Sequence, residues 1–147
     1  MALYSCKKLT QEYIFLLGNI RPKLGTVFVP ETVTRPARNL DDNVVNTVEF
    51  RVFATVTAPN GQDDIKRVFF RSYHVGLDSM MNGGNPILLL DDGGENGSGD
   101  LQKGDGSYTT TVSITQYAKT GTYVWTFEAQ DQSNAYSDTV KKILVVE

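Results

Sequence analysis

The feature that most constrains the fold is a run of alternating residues between positions 48 and 57. Apolar side chains occupy alternate positions, with mostly polar or charged side chains between them. Successive side chains of a β-strand point to opposite faces, so this pattern predicts a strand with one face in a core and the other in solvent. The apolar members are Val48, Phe50, Val52, Ala54 and Val56, and the polar members are Glu49, Arg51, Thr55 and Thr57.

Further strand-like segments recur along the chain, separated by turn signals such as Pro59-Asn60-Gly61. The predicted strands are residues 20–29, 65–73, 86–90, 108–114, 121–131 and 137–146. Residues 32–46 are predicted to be a solvated connection and residues 74–85 a polar loop, and no segment favours a helix. The chain is therefore predicted to be all-β, an immunoglobulin-like antiparallel β-sandwich of about seven to eight strands with an extended N-terminal segment.

Several motifs carry a resemblance to a known class of domain. They are NGQDDIKRV at residues 60–68, LLDDG at 89–93, GDGSYT at 104–109, GTYVWTFEAQD at 121–131 and the final ILVV. Together they resemble the immunoglobulin-like domains of secreted bacterial surface lipoproteins over residues 20–147. The resemblance implies a buried Trp125, a turn-fixing role for Asp64 and an extracellular or bacterial cell-surface location. We divide the chain into an N-terminal extension (1–18) and the sandwich domain (19–147).

An acidic, glycine-rich run at residues 91–108 separates two predicted strands. Calcium prefers hard oxygen ligands on a loop of this kind, so its candidate ligands are Asp91, Asp92, Asp100 and Asp105. The spacing does not match the EF-hand pattern. The competing interpretation, which leads, is that these aspartates cap turns by accepting hydrogen bonds from backbone amides. Asp63, Asp64 and Asp131 could join such a cluster if the loops converge.

The segment at residues 9–17, LTQEYIFLL, is left over once the sandwich is complete. An apolar extended segment in water promotes aggregation, so it needs a partner. Two interpretations stay open: the segment folds back on its own domain, or it adds a strand to a neighbouring subunit. The second makes a head-to-tail contact that generates filaments. The candidate assembly residues are Leu9, Tyr13, Ile14, Phe15, Leu16 and Leu17.

The sequence offers little for catalysis. His74 is the only histidine, and no nucleophile motif, zinc spacing or phosphate-binding loop accompanies it. A hydrolase that uses His74 is the least favoured hypothesis, and the chain is predicted not to be an enzyme. Alternating aromatic residues at 123, 125 and 127 could form a sugar-stacking platform, but in a sandwich strand this pattern is typical of the core.

The net charge and the short apolar runs argue against nucleic acid as a partner and against a membrane-spanning segment. The net charge is −3 and the basic residues form no stripe, so nucleic acid is not expected as a partner. The apolar runs are also too short to span a bilayer.

Four residues are candidates for modification. Residues 3–6 resemble the end of a bacterial lipoprotein signal, which makes Cys6 a candidate for lipidation; the alternative is an incidental exposed thiol. Asn96 begins an N-glycosylation sequon. Ser79 and Thr139 lie in motifs that resemble the O-glycosylation signal of some Bacteroidota surface proteins.

Two functions follow from these observations. The first is a non-catalytic extracellular structural protein, a self-assembling, pilus-like filament subunit linked through residues 9–17. The alternative is a monomeric glycan- or protein-binding module that could depend on calcium; no other cofactor is expected.

Overall fold

The computed structural model describes residues 20–147 as two packed β-sheets. Within this range there are nine strands and two short 3-10 turns, at Gln62–Asp64 and Met81–Gly84. The strands are β1 (Lys23–Phe28), β2 (Thr32–Val33), β3 (Thr47–Thr57), β4 (Ile65–His74), β5 (Ser79–Met80), β6 (Ile87–Leu89), β7 (Ser107–Thr115), β8 (Gly121–Asp131) and β9 (Val140–Val146).

The smaller sheet has the order β1-β3-β7, and the larger has the order β2-β9-β8-β4-β5 with β6 also paired to β4. All pairings are antiparallel except that of β2 with β9, which is parallel. Consecutive strands β3 and β4 lie in different sheets, as do β7 and β8, so the chain crosses between the layers as it does in immunoglobulin-like domains. The predicted immunoglobulin-like antiparallel β-sandwich is confirmed, and the extended N-terminal segment of that prediction lies outside the described residues.

The core lies between the two sheets and is built by the predicted alternation. Val52, Ala54 and Val56 of β3 are buried, and their alternate neighbours face outward. The larger sheet contributes Phe70 and Trp125, whose rings stack with centroids 4.4 Å apart. Burying a side chain of this size stabilises the fold by about 1.5–3 kcal/mol, so this face of each strand sets its orientation.

Short strands depart from the sequence-based predictions. The connection predicted at residues 32–46 contains β2, and the loop predicted at 74–85 contains β5 and the second 3-10 turn. Both strands are two residues long and exist because a long neighbour offers an edge. Of β6, only Leu89 is buried, whereas Leu88 is exposed. The last strand begins at Val140, so Thr139 precedes it and is exposed rather than lying within a strand.

The predicted assembly residues between Leu9 and Leu17 and the candidate lipidation site Cys6 lie outside the described residues. Between residues 20 and 147 the structure has no helix long and apolar enough to cross a membrane.

Candidate functional site

The acidic loop, residues 90–106, joins β6 to β7 and is held by its own aspartates. Asp92 accepts hydrogen bonds from the Ser98 hydroxyl (2.6 Å) and from the backbone amides of Gly94 (2.9 Å) and Asn96 (3.1 Å). These donors, chiefly the Ser98 hydroxyl, lower the pKa of Asp92 to about 2 against the opposing effect of burial. Asp92 therefore acts as the turn-capping residue that the sequence predicts.

A second aspartate brings the two ends of the loop together. Asp91 Oδ1 accepts the amide of Gly104 (2.7 Å), and Asp91 Oδ2 accepts that of Gly106 (3.0 Å). Asp105 accepts the amide of Ser107 at the start of β7 (2.9 Å). These charge-assisted bonds hold the two ends of the loop together.

Three of the four candidate calcium ligands come together in space. Asp91, Asp100 and Asp105 each place one carboxylate oxygen within 4.8 Å of the others. Calcium binds about six to eight oxygens at about 2.3–2.6 Å, so one oxygen from each residue fits a single coordination sphere. Asp92, whose oxygens accept hydrogen bonds from Ser98 and the loop amides, is not part of this cluster. Among the described residues, the carboxylates of Asp63, Asp64 and Asp131 are not part of this group.

A cleft of about 330 Å³ lies between the acidic loop and the outer face of the smaller sheet. Phe28 and Phe53, which are cross-strand partners on β1 and β3, stack in the cleft with centroids 5.4 Å apart and an interplanar angle of 17°. Leu101 of the loop is 84% exposed and Phe28 is 46% exposed. Asp100 and Asp105 belong both to the cleft and to the carboxylate cluster, so an exposed apolar surface adjoins a concentrated negative charge.

The loop is attached to the sheet by contacts that shape the cleft. Arg51 donates to the carbonyl of Gly99 (3.3 Å), and the Thr111 hydroxyl donates to the carbonyl of Ser98 (3.1 Å). Gly99 has a φ of +82°, and a Cβ there would lie 2.8 Å from Arg51 Cδ. A side chain at position 99 would therefore force Arg51 or Thr111 to shift, so glycine is favoured where the loop lies on β3 and β7.

The aromatic pair of the cleft was missed at the sequence level. Phe53 occupies an outward position of the alternation in β3, between the outward Arg51 and Thr55. An aromatic residue at a solvent-facing position is the signal that could have found it. The aromatics considered from sequence are in the core instead: Trp125 and Phe127 are buried and Tyr123 is partly buried.

His74 is buried at the end of β4, and both of its ring nitrogens are engaged by backbone groups. Nδ1 accepts the amide of Leu77 (3.1 Å), which places the proton on Nε2, and Nε2 donates to the carbonyl of Thr120 (2.8 Å). The ring also packs edge-on against Tyr123. These contacts tie the connection that follows β4 and the one that precedes β8 to the larger sheet. The geometry therefore gives His74 a structural role.

The candidate glycosylation residues are all exposed. Asn96 lies in the acidic loop, and its side-chain nitrogen donates to Asp92 Oδ2 (3.0 Å). Ser79 lies in β5, and Thr139 precedes β9. Glycosylation of these residues stays a prediction.

No model of a known protein family matches this chain, and neither does any curated protein sequence. Among solved structures, it is similar to fibronectin(III)-like modules of CbhA from Clostridium thermocellum, with 15% identity over 88% of this chain and a TM-score of 0.47. This chain covers 49% of that structure, about half of its length. A PKD domain of an M14-like peptidase from a Thermoplasmatales archaeon is 16% identical, with 86% of this chain and 92% of that one covered and a TM-score of 0.40. A superoxide reductase from Ignicoccus hospitalis is 19% identical, with 98% and 94% covered and a TM-score of 0.43. The strand order and pairing within residues 20–147 carry the fold assignment.

Proposed function

We propose that this chain is a non-catalytic binding module of the bacterial cell surface whose ligand is a glycan seated in the cleft. One observation carries the proposal: the stacked Phe28–Phe53 pair, with Phe28 exposed and Phe53 partly buried, adjoins the carboxylates of Asp100 and Asp105. The face of an aromatic ring carries negative charge and attracts the positively polarised C–H groups of a sugar. Carboxylates accept hydrogen bonds from sugar hydroxyls, so the cleft combines an apolar surface with polar groups that fix orientation.

Calcium is part of this proposal. Asp91, Asp100 and Asp105 would hold the ion through one oxygen each, and further oxygens would complete its coordination. A bound calcium ion offers open coordination positions to ligand hydroxyls. Asp100 and Asp105 also line the cleft, so an ion bound by their carboxylates would lie beside the ligand.

The test is a glycan array probed with the full chain, with and without calcium. We expect binding that is reduced at least tenfold by Phe28→Ala and by Asp105→Asn. Leu88→Ala is the matched control, because Leu88 is similarly exposed, at 49%, but lies on the other sheet. The absence of any glycan binding under both conditions would overturn the proposal. Equal binding by the Phe28→Ala variant would show that the cleft is not the site.

A second candidate function is the self-assembling structural subunit linked through residues 9–17. A specific observation favours it: the outer edge of β9 is only partly covered by β2. An open strand edge offers unpaired amides and carbonyls to an incoming strand. Sedimentation and electron microscopy of the full chain and of a chain starting at Asn19 test this function. Assembly that is unchanged by the deletion would exclude it.

A further inference from the structure

Strand β9 has backbone groups that face away from its neighbour β8. β2 pairs with only the last two residues of β9, through Thr32 with Val145 and Val33 with Val146. The Val145 amide donates outward to the carbonyl of Glu31 (2.9 Å). Backbone direction alternates along a strand, so Lys141 and Ile143 turn their amides and carbonyls to the same side as Val145. Among residues 20–147, no strand pairs with that side of Lys141 or Ile143.

The side chains along this edge suit a further strand. Ile143 is 59% exposed, so this part of β9 presents a large apolar side chain to solvent. It lines a surface groove of about 570 Å³ together with Val29, Thr32 and Lys142. The edge therefore combines unpaired backbone groups with an apolar contact surface.

Residues 9–17 have the complementary chemistry. They contain the apolar run Tyr13, Ile14, Phe15, Leu16 and Leu17, and β-propensity is high for the first three of these. They also contain Glu12, the single acidic residue before position 20, and the groove carries two basic residues, Lys141 and Lys142, beside one acidic residue, Glu31. A strand added at this edge would place opposite charges near each other.

We propose that the open edge of β9, at Lys141 and Ile143, binds residues 9–17 of a second copy as an added β-strand. The proposal rests on the second candidate function and names its acceptor site. Ile20 lies in a cleft with Val140, at the start of β9, and Arg21 is held there by Asp138 (3.3 Å). From Ile20 the chain first forms β1 in the smaller sheet and then returns to the larger one, where Thr32 lies beside Val145.

A contact of this kind joins different surfaces of the two copies. Such head-to-tail contacts propagate into filaments unless the rotation between copies closes a ring. Main-chain hydrogen bonds would supply affinity, and apolar side chains at alternate positions would supply register.

Disulfide trapping between two pools of full-length chain tests the acceptor site. Both pools carry Cys6→Ser, which removes the one native thiol. One pool carries a single cysteine at a donor position, as Tyr13→Cys, Phe15→Cys or Leu17→Cys. The other carries Ile143→Cys and a larger affinity tag.

We expect a disulfide-linked heterodimer for at least one donor position. Leu88→Cys is the matched acceptor control because Leu88 is similarly exposed on another strand, and it should give at least tenfold less product.

The outcomes separate the acceptor site from the function. If the unsubstituted chain shows no association in sedimentation, the second candidate function fails. If the chain associates but no donor position cross-links to Ile143→Cys, the acceptor edge is wrong and self-association stands. A chain carrying both cysteines that forms only an intramolecular disulfide would show that the segment covers its own edge. Equal cross-linking to Leu88→Cys would show a nonspecific contact, and either result overturns the proposal.

Discussion

Trp125 of β8 donates its indole N–H to the hydroxyl of its cross-strand partner Ser72 on β4, 2.8 Å away. Both residues are buried, so the indole group has no access to water if this acceptor is removed. We expect Ser72→Ala to lower the free energy of unfolding by about 1–3 kcal/mol, the cost of a buried unsatisfied donor. Urea denaturation measures the change. Ser113→Ala, an exposed change on β7, is the control; an equal loss in both variants would contradict the assigned role.

His74→Ala should destabilise the fold because it removes a buried ring and its hydrogen bonds to Leu77 and Thr120. We expect a loss of about 2–4 kcal/mol in the free energy of unfolding. Hydrogen exchange at the Leu77 amide should also become faster, since its acceptor is gone. Val75→Ala is the matched control, because the neighbouring Val75 side chain is half exposed. If His74→Ala changes the free energy of unfolding by less than about 0.5 kcal/mol, His74 does not have the structural role assigned to it.

The low pKa of Asp92 predicts how the stability of the domain depends on pH. A carboxylate with a pKa of about 2 in the folded state and 3.8 otherwise stabilises the fold above pH 3.8. That contribution is lost as the pH falls toward 2. Asp92→Asn should therefore be less stable than the parent at neutral pH and should lose less stability between about pH 4 and about pH 2. Thermal melts across this range measure the effect.

Glu95→Gln is the control for the Asp92→Asn variant, because it also removes one negative charge from an exposed part of the same loop. It should retain the steep loss of stability at low pH. If the Asp92→Asn and Glu95→Gln variants have the same pH profile, the hydrogen bonds of Asp92 do not produce the effect.

Gly99 and Gly104 offer a matched pair for testing how closely the acidic loop packs on the smaller sheet. Their φ angles are +82° and +80°, so alanine is strained by about 1–2 kcal/mol at either position. Only at Gly99 would the added Cβ meet neighbours, at 2.8 Å from Arg51 Cδ and 2.9 Å from Thr111 Oγ1. We expect Gly99→Ala to cost about 1–3 kcal/mol more than Gly104→Ala, measured by urea denaturation. Equal costs would show that the loop does not lie tightly on β3 and β7.

The candidate site was only partly predictable, and its residues show why. Asp91, Asp100 and Asp105 are visible in sequence as acidic residues beside glycines, and the loop does bring them together. Sequence could not separate them from Asp92, because which carboxylate faces the cluster depends on hydrogen bonds across the loop. Phe28 and Phe53 lie far apart in sequence and become one surface only through the pairing of β1 with β3.

The amino-acid sequence alone determined the long strands and the face that each one buries. That information is local, since alternation such as that of Glu49, Phe50, Arg51 and Val52 follows from strand geometry and from the cost of exposing apolar surface. Tertiary structure alone decided β2, which exists because β9 offers it an edge, and the cleft, whose aromatic floor and acidic wall come from β1, β3 and the loop. These features depend on contacts between segments distant in the chain, and the local pattern of side chains does not encode them.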